Sequence, residues 1–142
     1  MASQSSPTKI AGKCACGKVR FSTSSEPDTI VHCYCTTCRK TSGAAYLPFA
    51  HFRKDDIHWE GHPEKWQKSD KGTRAHCAAC GSGLYMFYHS TPETIGIIVG
   101  CIDQGIELVK PAQACIYVQE KPHWAELPKG VPTYSAGFSS DQ

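Results

Sequence analysis

Seven of the chain's nine cysteines fall into three tight groups, and their spacing limits the fold more than any other feature. Cys14-Ala15-Cys16-Gly17 is a C-x-C followed by glycine. Cys33-Tyr34-Cys35-Thr36-Thr37-Cys38 is a C-x-C-x-x-C, and Cys77-Ala78-Ala79-Cys80-Gly81 is a C-x-x-C followed by glycine. Zinc takes sulfur ligands tetrahedrally at about 2.3 Å, and two cysteines one to four residues apart can reach one ion from one tight loop. A glycine after each pair lets the loop curl so that backbone N–H groups face sulfur and offset its charge.

A disulfide scaffold is the competing use of so many cysteines. At 142 residues with 40% hydrophobic content, the chain can bury a core without covalent staples. The N-terminal MASQSSPTKIAGK carries no apolar segment of the secretory type. The longest mostly apolar run, Ile95–Ile102, falls far short of the roughly 20 residues that span a bilayer. The expectation is a cytoplasmic protein, with the nucleus as the alternative, in which thiols stay reduced and serve metal or thiol chemistry. The C-x-x-C lacks the βαβ surroundings of a thioredoxin-type redox pair. A net charge of +2 and scattered lysines and arginines give no nucleic-acid footprint, so neither nucleic acid nor membrane is an expected partner.

The body reads as short strands separated by turns. Val19–Ser22, Ile30–His32, Gly43–Phe49, Leu84–Tyr88, Thr94–Val99 and Cys115–Val118 have strand composition. Helical periodicity is nowhere sustained, with single turns expected near Thr36–Lys40 and Phe52–Asp56. The fold class is mainly β with little helix. One domain is expected over residues 10–134, between a disordered tail over 1–9 and a flexible tail over 135–142.

The sulfurs then divide by their chemistry. The two glycine-trailed pairs match, which assigns Cys14, Cys16, Cys77 and Cys80 to a closed structural zinc site. Cys33, Cys35 and Cys38 remain, and three protein ligands with a fourth position free describe a zinc that binds something else. Three thiolates make the ion a modest Lewis acid whose natural fourth ligand is soft, which points to a thiol substrate. The competing reading makes both ions structural, with His32, His76 or another residue closing the second site. Cys101 and Cys115, in apolar strands, read as small buried hydrophobes.

The segments KCACGKVRF (13–21), HCYCTTCRKTSGAAY (32–46), RAHCAACGSGLYM (74–86), IIVGCID (97–103) and YVQEKPHW (117–124), in this order, resemble the glutathione-dependent formaldehyde-activating enzyme family, whose domain is shared with centromere protein V. The resemblance covers roughly residues 10–128. It implies a zinc-binding β-tent fold of small antiparallel sheets. It also implies two zinc ions per chain, a structural one on Cys14, Cys16, Cys77 and Cys80 and a catalytic one on Cys33, Cys35 and Cys38. The implied activity is a carbon–sulfur lyase reaction that joins glutathione and formaldehyde into S-hydroxymethylglutathione. Two positions depart from the family's pattern: Cys101 within the strand that usually reads GTLD, and Cys115 where many members carry a histidine.

Arg39, Lys40 and Arg74 adjoin cysteine clusters and are candidates to meet the charged groups of a thiol substrate. Asp103 and Tyr46 are candidate hydrogen-bonding groups. The alternative function is a non-catalytic zinc-binding interaction module; a chromatin role of that kind calls for a basic extension, which MASQSSPTK and SAGFSSDQ lack.

Overall fold

Short runs of β-branched, aromatic or alternating residues set most of the strands, and glycines and short polar loops end them. The structure, a computed structural model, describes residues 6–138. Along the chain, β1 (Ile10–Lys13) and β2 (Arg20–Thr23) form a hairpin that encloses the first cysteine pair. Next come β3 (Thr29–Cys33), α1 (Thr36–Ser42), the single α-helix among the described residues, β4 (Leu47–Arg53), β5 (His58–Glu60) and β6 (Glu64–Lys68). The chain continues through β7 (Gly72–Cys77), β8 (Gly83–Tyr88), β9 (Thr94–Ile98), β10 (Ile102–Gln104) and β11 (Ala114–Ile116). The expected mainly β architecture is what these residues form, and α1 is a little longer than the turn expected at Thr36–Lys40.

Two sheets result. A four-stranded sheet runs β10-β1-β2-β5 and a seven-stranded one runs β11-β3-β4-β9-β8-β7-β6. All ladders are antiparallel except β11 on β3, which is parallel and sets Cys115 opposite His32. Side chains alternate across a strand, so Cys115 faces away from the side on which Cys33 lies. Between the sheets sits the larger core, where Ile10, Val19, Phe21, Phe52, Leu84, Ile95 and Ile97 are buried together with Cys14 and Cys77. A second cluster of Val31, Leu47, Phe49 and Ile116 holds Cys33 and Cys38. Each sulfur group is thus rooted in its own apolar cluster.

Of the N-terminal tail, residues 1–5 lie outside the described residues; Lys9 donates its backbone N–H to the Thr23 carbonyl at 2.9 Å. At the other end the chain runs back along β11. Tyr134 N–H donates to the Cys115 carbonyl at 2.9 Å, and Tyr117 N–H donates to the Ala136 carbonyl at 2.8 Å. This attached stretch reaches Phe138, and the rest of the expected C-terminal tail, 139–142, lies outside the described residues. No helix among the described residues is long and apolar enough to cross a membrane.

Candidate metal centres and the cleft beside them

The sulfurs of Cys14, Cys16, Cys77 and Cys80 lie within 4.8 Å of one another, although the two pairs are separated by some sixty residues of sequence. The β1–β2 turn delivers one pair and the β7–β8 turn the other. In both, glycine adopts the left-handed region, Gly17 at φ 79° and Gly81 at φ 82°. Their N–H groups close the turns onto the Cys14 and Cys77 carbonyls at 3.0 and 2.7 Å. Ser82 joins the loops, its hydroxyl accepting from Ala15 N–H at 2.9 Å. Val19 N–H points at the Cys14 sulfur at 3.4 Å. Ser82, through its hydroxyl and its backbone, lowers the Cys80 thiol to about 5. A tetrahedron with zinc–sulfur bonds of about 2.3 Å has sulfur–sulfur edges of about 3.8 Å. The observed edges of 3.6 Å (Cys14–Cys16) and 3.8 Å (Cys16–Cys77) fit that figure. The donor set is therefore the right kind and size for zinc.

The sulfurs of Cys33, Cys35 and Cys38 also lie within 4.8 Å of one another. Cys33 ends β3, while Cys35 caps α1, its sulfur accepting from Cys38 N–H at 3.3 Å. The first turn of α1 is pinned from outside by Glu120, whose carboxylate accepts from Thr36 N–H at 2.9 Å. Arg74 on β7 also reaches the trio, with both terminal nitrogens 3.4 Å from the Cys38 sulfur and Nη2 3.9 Å from that of Cys35. Burial works against the Arg74 charge, but the sulfurs of Cys38, Cys35 and Cys33 more than offset it and raise its pKa.

Charge is unequally shared within the trio. Cys35 is lowered to about 2 by hydrogen bonds from Cys33 and Cys38, with help from Cys38 N–H and Arg74 against the opposing effect of burial. Cys33 is pushed up by Cys35, by Cys38 and by burial. Cys38 rises to about 11: Cys33 acts to lower it, and Cys35 and burial outweigh that. These contacts favour negative charge on Cys35 over Cys33 and Cys38.

Cys35 opens into a cleft of about 270 Å³ that also takes in Gln67, Lys68, Lys71, Arg74, Tyr88 and Tyr117. Period two in the β7–β8 ladder explains this wall, because Arg74 pairs with Met86 and Gly72 with Tyr88, and these residues share one face. The Tyr88 and Tyr117 phenols are raised, first by burial and then by the nearby Cys33 sulfur, so both remain protonated.

Residues 9–120 match the family described as "Glutathione-dependent formaldehyde-activating enzyme". The chain belongs to this family. A Halomonas elongata protein that carries the same enzyme name provisionally is 29% identical over 127 residues, spanning 83% of this chain and 80% of the relative. A crystal structure of a Rhodobacter sphaeroides protein superposes with a TM-score of 0.51 at 22% identity, covering 71% of this chain and 91% of that one. The latter likeness concerns the fold.

In this formaldehyde-activating family member, the basic residues singled out in the sequence separate. Arg74 lies on the trio, Lys40 lines a different groove with Lys65 and Trp66, and Arg39 is half-buried on α1. Tyr46 stacks on His32 at 4.2 Å between ring centroids. Asp103 lies on the small sheet. Cys101 packs into the core with Cys14 and Cys77, its thiol donating to the Gly83 carbonyl at 3.0 Å. Cys115 is buried with Tyr34 beside it. The two odd cysteines therefore belong to different places. Sequence reasoning missed Lys68, Lys71, Tyr88 and Tyr117; for Tyr88 the signal was the alternation from Arg74 to Gly72 opposite Met86 and Tyr88, visible only once the hairpin register is known.

Proposed function

We propose that this chain is a zinc-dependent enzyme of the carbon–sulfur lyase type, acting on adducts of glutathione, with S-hydroxymethylglutathione formed from glutathione and formaldehyde as the first reaction to test. The observation that carries the reading is a three-sulfur cradle opening directly into a lysine-edged cleft. Cys14, Cys16, Cys77 and Cys80 would hold a structural zinc, and Cys33, Cys35 and Cys38 a catalytic one. A zinc ion on the trio supplies a fourth coordination position that keeps an incoming thiol deprotonated near neutral pH.

The chain's own groups supply the rest. Arg74 offsets the negative charge of the sulfurs and holds Cys38 and Cys35 in place. Lys68 and Lys71 offer ammonium groups to the carboxylates of glutathione, and Gln67 offers its amide to the peptide groups. Tyr88 and Tyr117, as protonated phenols, can donate to an oxygen that gains charge. In synthesis the thiol sulfur attacks the carbonyl carbon, the C–S bond forms, the carbonyl electron pair moves to oxygen, and that oxygen takes a proton. Breakdown reverses each movement. Nine free thiols suit a reducing cytoplasm.

The test is Cys35→Ser. Serine still caps a helix, so the variant is expected to melt near the wild-type temperature while losing one of the two zinc ions and its turnover of S-hydroxymethylglutathione. Glutathione is expected to slow removal of that same zinc from the wild type by a chelator. If glutathione changes neither zinc retention nor thermal stability, the reading fails.

A further inference from the structure

A second chamber adjoins the trio, and formaldehyde does not need it. It encloses about 150 Å³ and is walled by Val31, Phe49, Ile116 and Phe138, with Gly96 and His51 at one side. Cys33 opens into this chamber and Cys35 into the basic cleft, while Met86 and Tyr88 belong to the walls of both. The trio therefore stands where a lysine-edged space meets an apolar one. A ligand whose sulfur sits at the trio has two directions in which to extend, and they differ in chemistry.

The wall of the apolar space beside β9 is closely packed, with the Phe49 and His51 rings lying against the backbone at Gly96. At Gly96 a Cβ would press on Phe49 Cδ1 at 3.2 Å and on His51 Cδ2 at 3.3 Å, and glycine avoids this in the middle of β9. Glycine weakens a strand interior, so its presence there marks a close approach. An apolar cavity of about 150 Å³ takes a guest as large as benzene. Formaldehyde, with its single carbon, would leave most of such a space without contacts, and each unfilled wall forfeits dispersion attraction.

We propose that the preferred substrates are glutathione adducts of apolar aldehydes, carrying a substituent between a short alkyl chain and a phenyl ring, with that substituent in the Phe49–Ile116 chamber and the peptide part in the Lys68–Lys71 cleft. This rests on the carbon–sulfur reading above. The bond changes are the same: the C–S bond forms as the carbonyl pair moves to oxygen and is protonated, or parts as that oxygen loses its proton and the sulfur leaves with the electron pair. Only the carbon's substituent differs, and no oxidant or reductant is required.

The zinc-loaded full chain is assayed by NMR exchange between each free aldehyde and its glutathione adduct, for formaldehyde, acetaldehyde, butanal and benzaldehyde. The expected result is kcat/KM rising with the apolar substituent, by about tenfold or more from formaldehyde to benzaldehyde, as hydrophobic pocket contacts allow. In Thr94→Phe, which places a ring in the chamber, the ratio of benzaldehyde to formaldehyde turnover falls by about tenfold. A rate that falls as the aldehyde grows overturns this proposal and leaves the glutathione–formaldehyde reading standing. No turnover of any aldehyde adduct overturns that reading and this proposal with it. Should Thr94→Phe fail to fold, benzene titrated into the wild type provides the second measurement. Shifts of the Phe49, Gly96 and Ile116 amides are expected, and their absence overturns the chamber as a binding site.

Discussion

Arg74 is the side chain that makes a trio of sulfurs tolerable in a half-apolar setting. Its planar fork reaches the Cys38 sulfur with both terminal nitrogens at 3.4 Å, a geometry that a lysine's single ammonium cannot reproduce. Outer contacts to metal ligands are typically worth 10–100-fold in metal affinity or activity. Arg74→Leu is expected to weaken zinc retention at the trio by roughly that factor, with Arg74→Lys recovering part of it. Competition with a chromogenic chelator measures both. Equal retention in all three proteins would make Arg74 a bystander. Cys35 illustrates a different economy, since one sulfur serves both as cap of α1 and as ligand candidate, and the backbone N–H of Cys38 stabilises it in either use.

Strand β4 lies between β3 and β9 and carries His51, whose pKa is lowered by burial against a smaller opposing pull from Asp28. The sign follows from linkage. The unfolded chain takes up the His51 proton near its ordinary value of 6.5, before the folded chain does, so the stability present above that value is lost as pH falls below it. Denaturant midpoints measured from pH 7.5 down to 5 are expected to decline, and His51→Gln is expected to flatten part of that slope. The strands of β-branched or aromatic composition, such as β3, β8 and β9, were legible in the sequence. So was the division of the cysteines into two groups, because close spacing marks each cluster and the trailing glycines pair two of them. Strand β6 was not: Glu64-Lys65-Trp66-Gln67-Lys68 is exposed at every position, and only its partner β7 makes it a strand. The cleft was hidden for the same reason, since Lys68, Tyr88 and Tyr117 converge from positions up to about fifty residues apart through pairing register, which composition does not encode.

At the scale of the whole molecule the four-sulfur group is the tie between the two sheets. It joins the β1–β2 turn of the small sheet to the β7–β8 turn of the large one, and Cys14 and Cys77 are buried in the core they share. Metal binding at such a junction is coupled to folding. Cys77→Ser is expected to cost the cooperative thermal transition, read by circular dichroism, where Cys35→Ser spares it. Similar melting of both variants would make the two groups equivalent supports. The hairpin of β7 and β8 also touches both centres, ending in Cys77 and Cys80 while its flank presents Arg74, Met86 and Tyr88 to the trio. With the structural zinc proposed above on the four-sulfur group, a cell starved of zinc would lose the alignment of the proposed reacting surface by way of a metal that never meets the substrate. Scarcity would be registered at a distance, along a beam two strands wide.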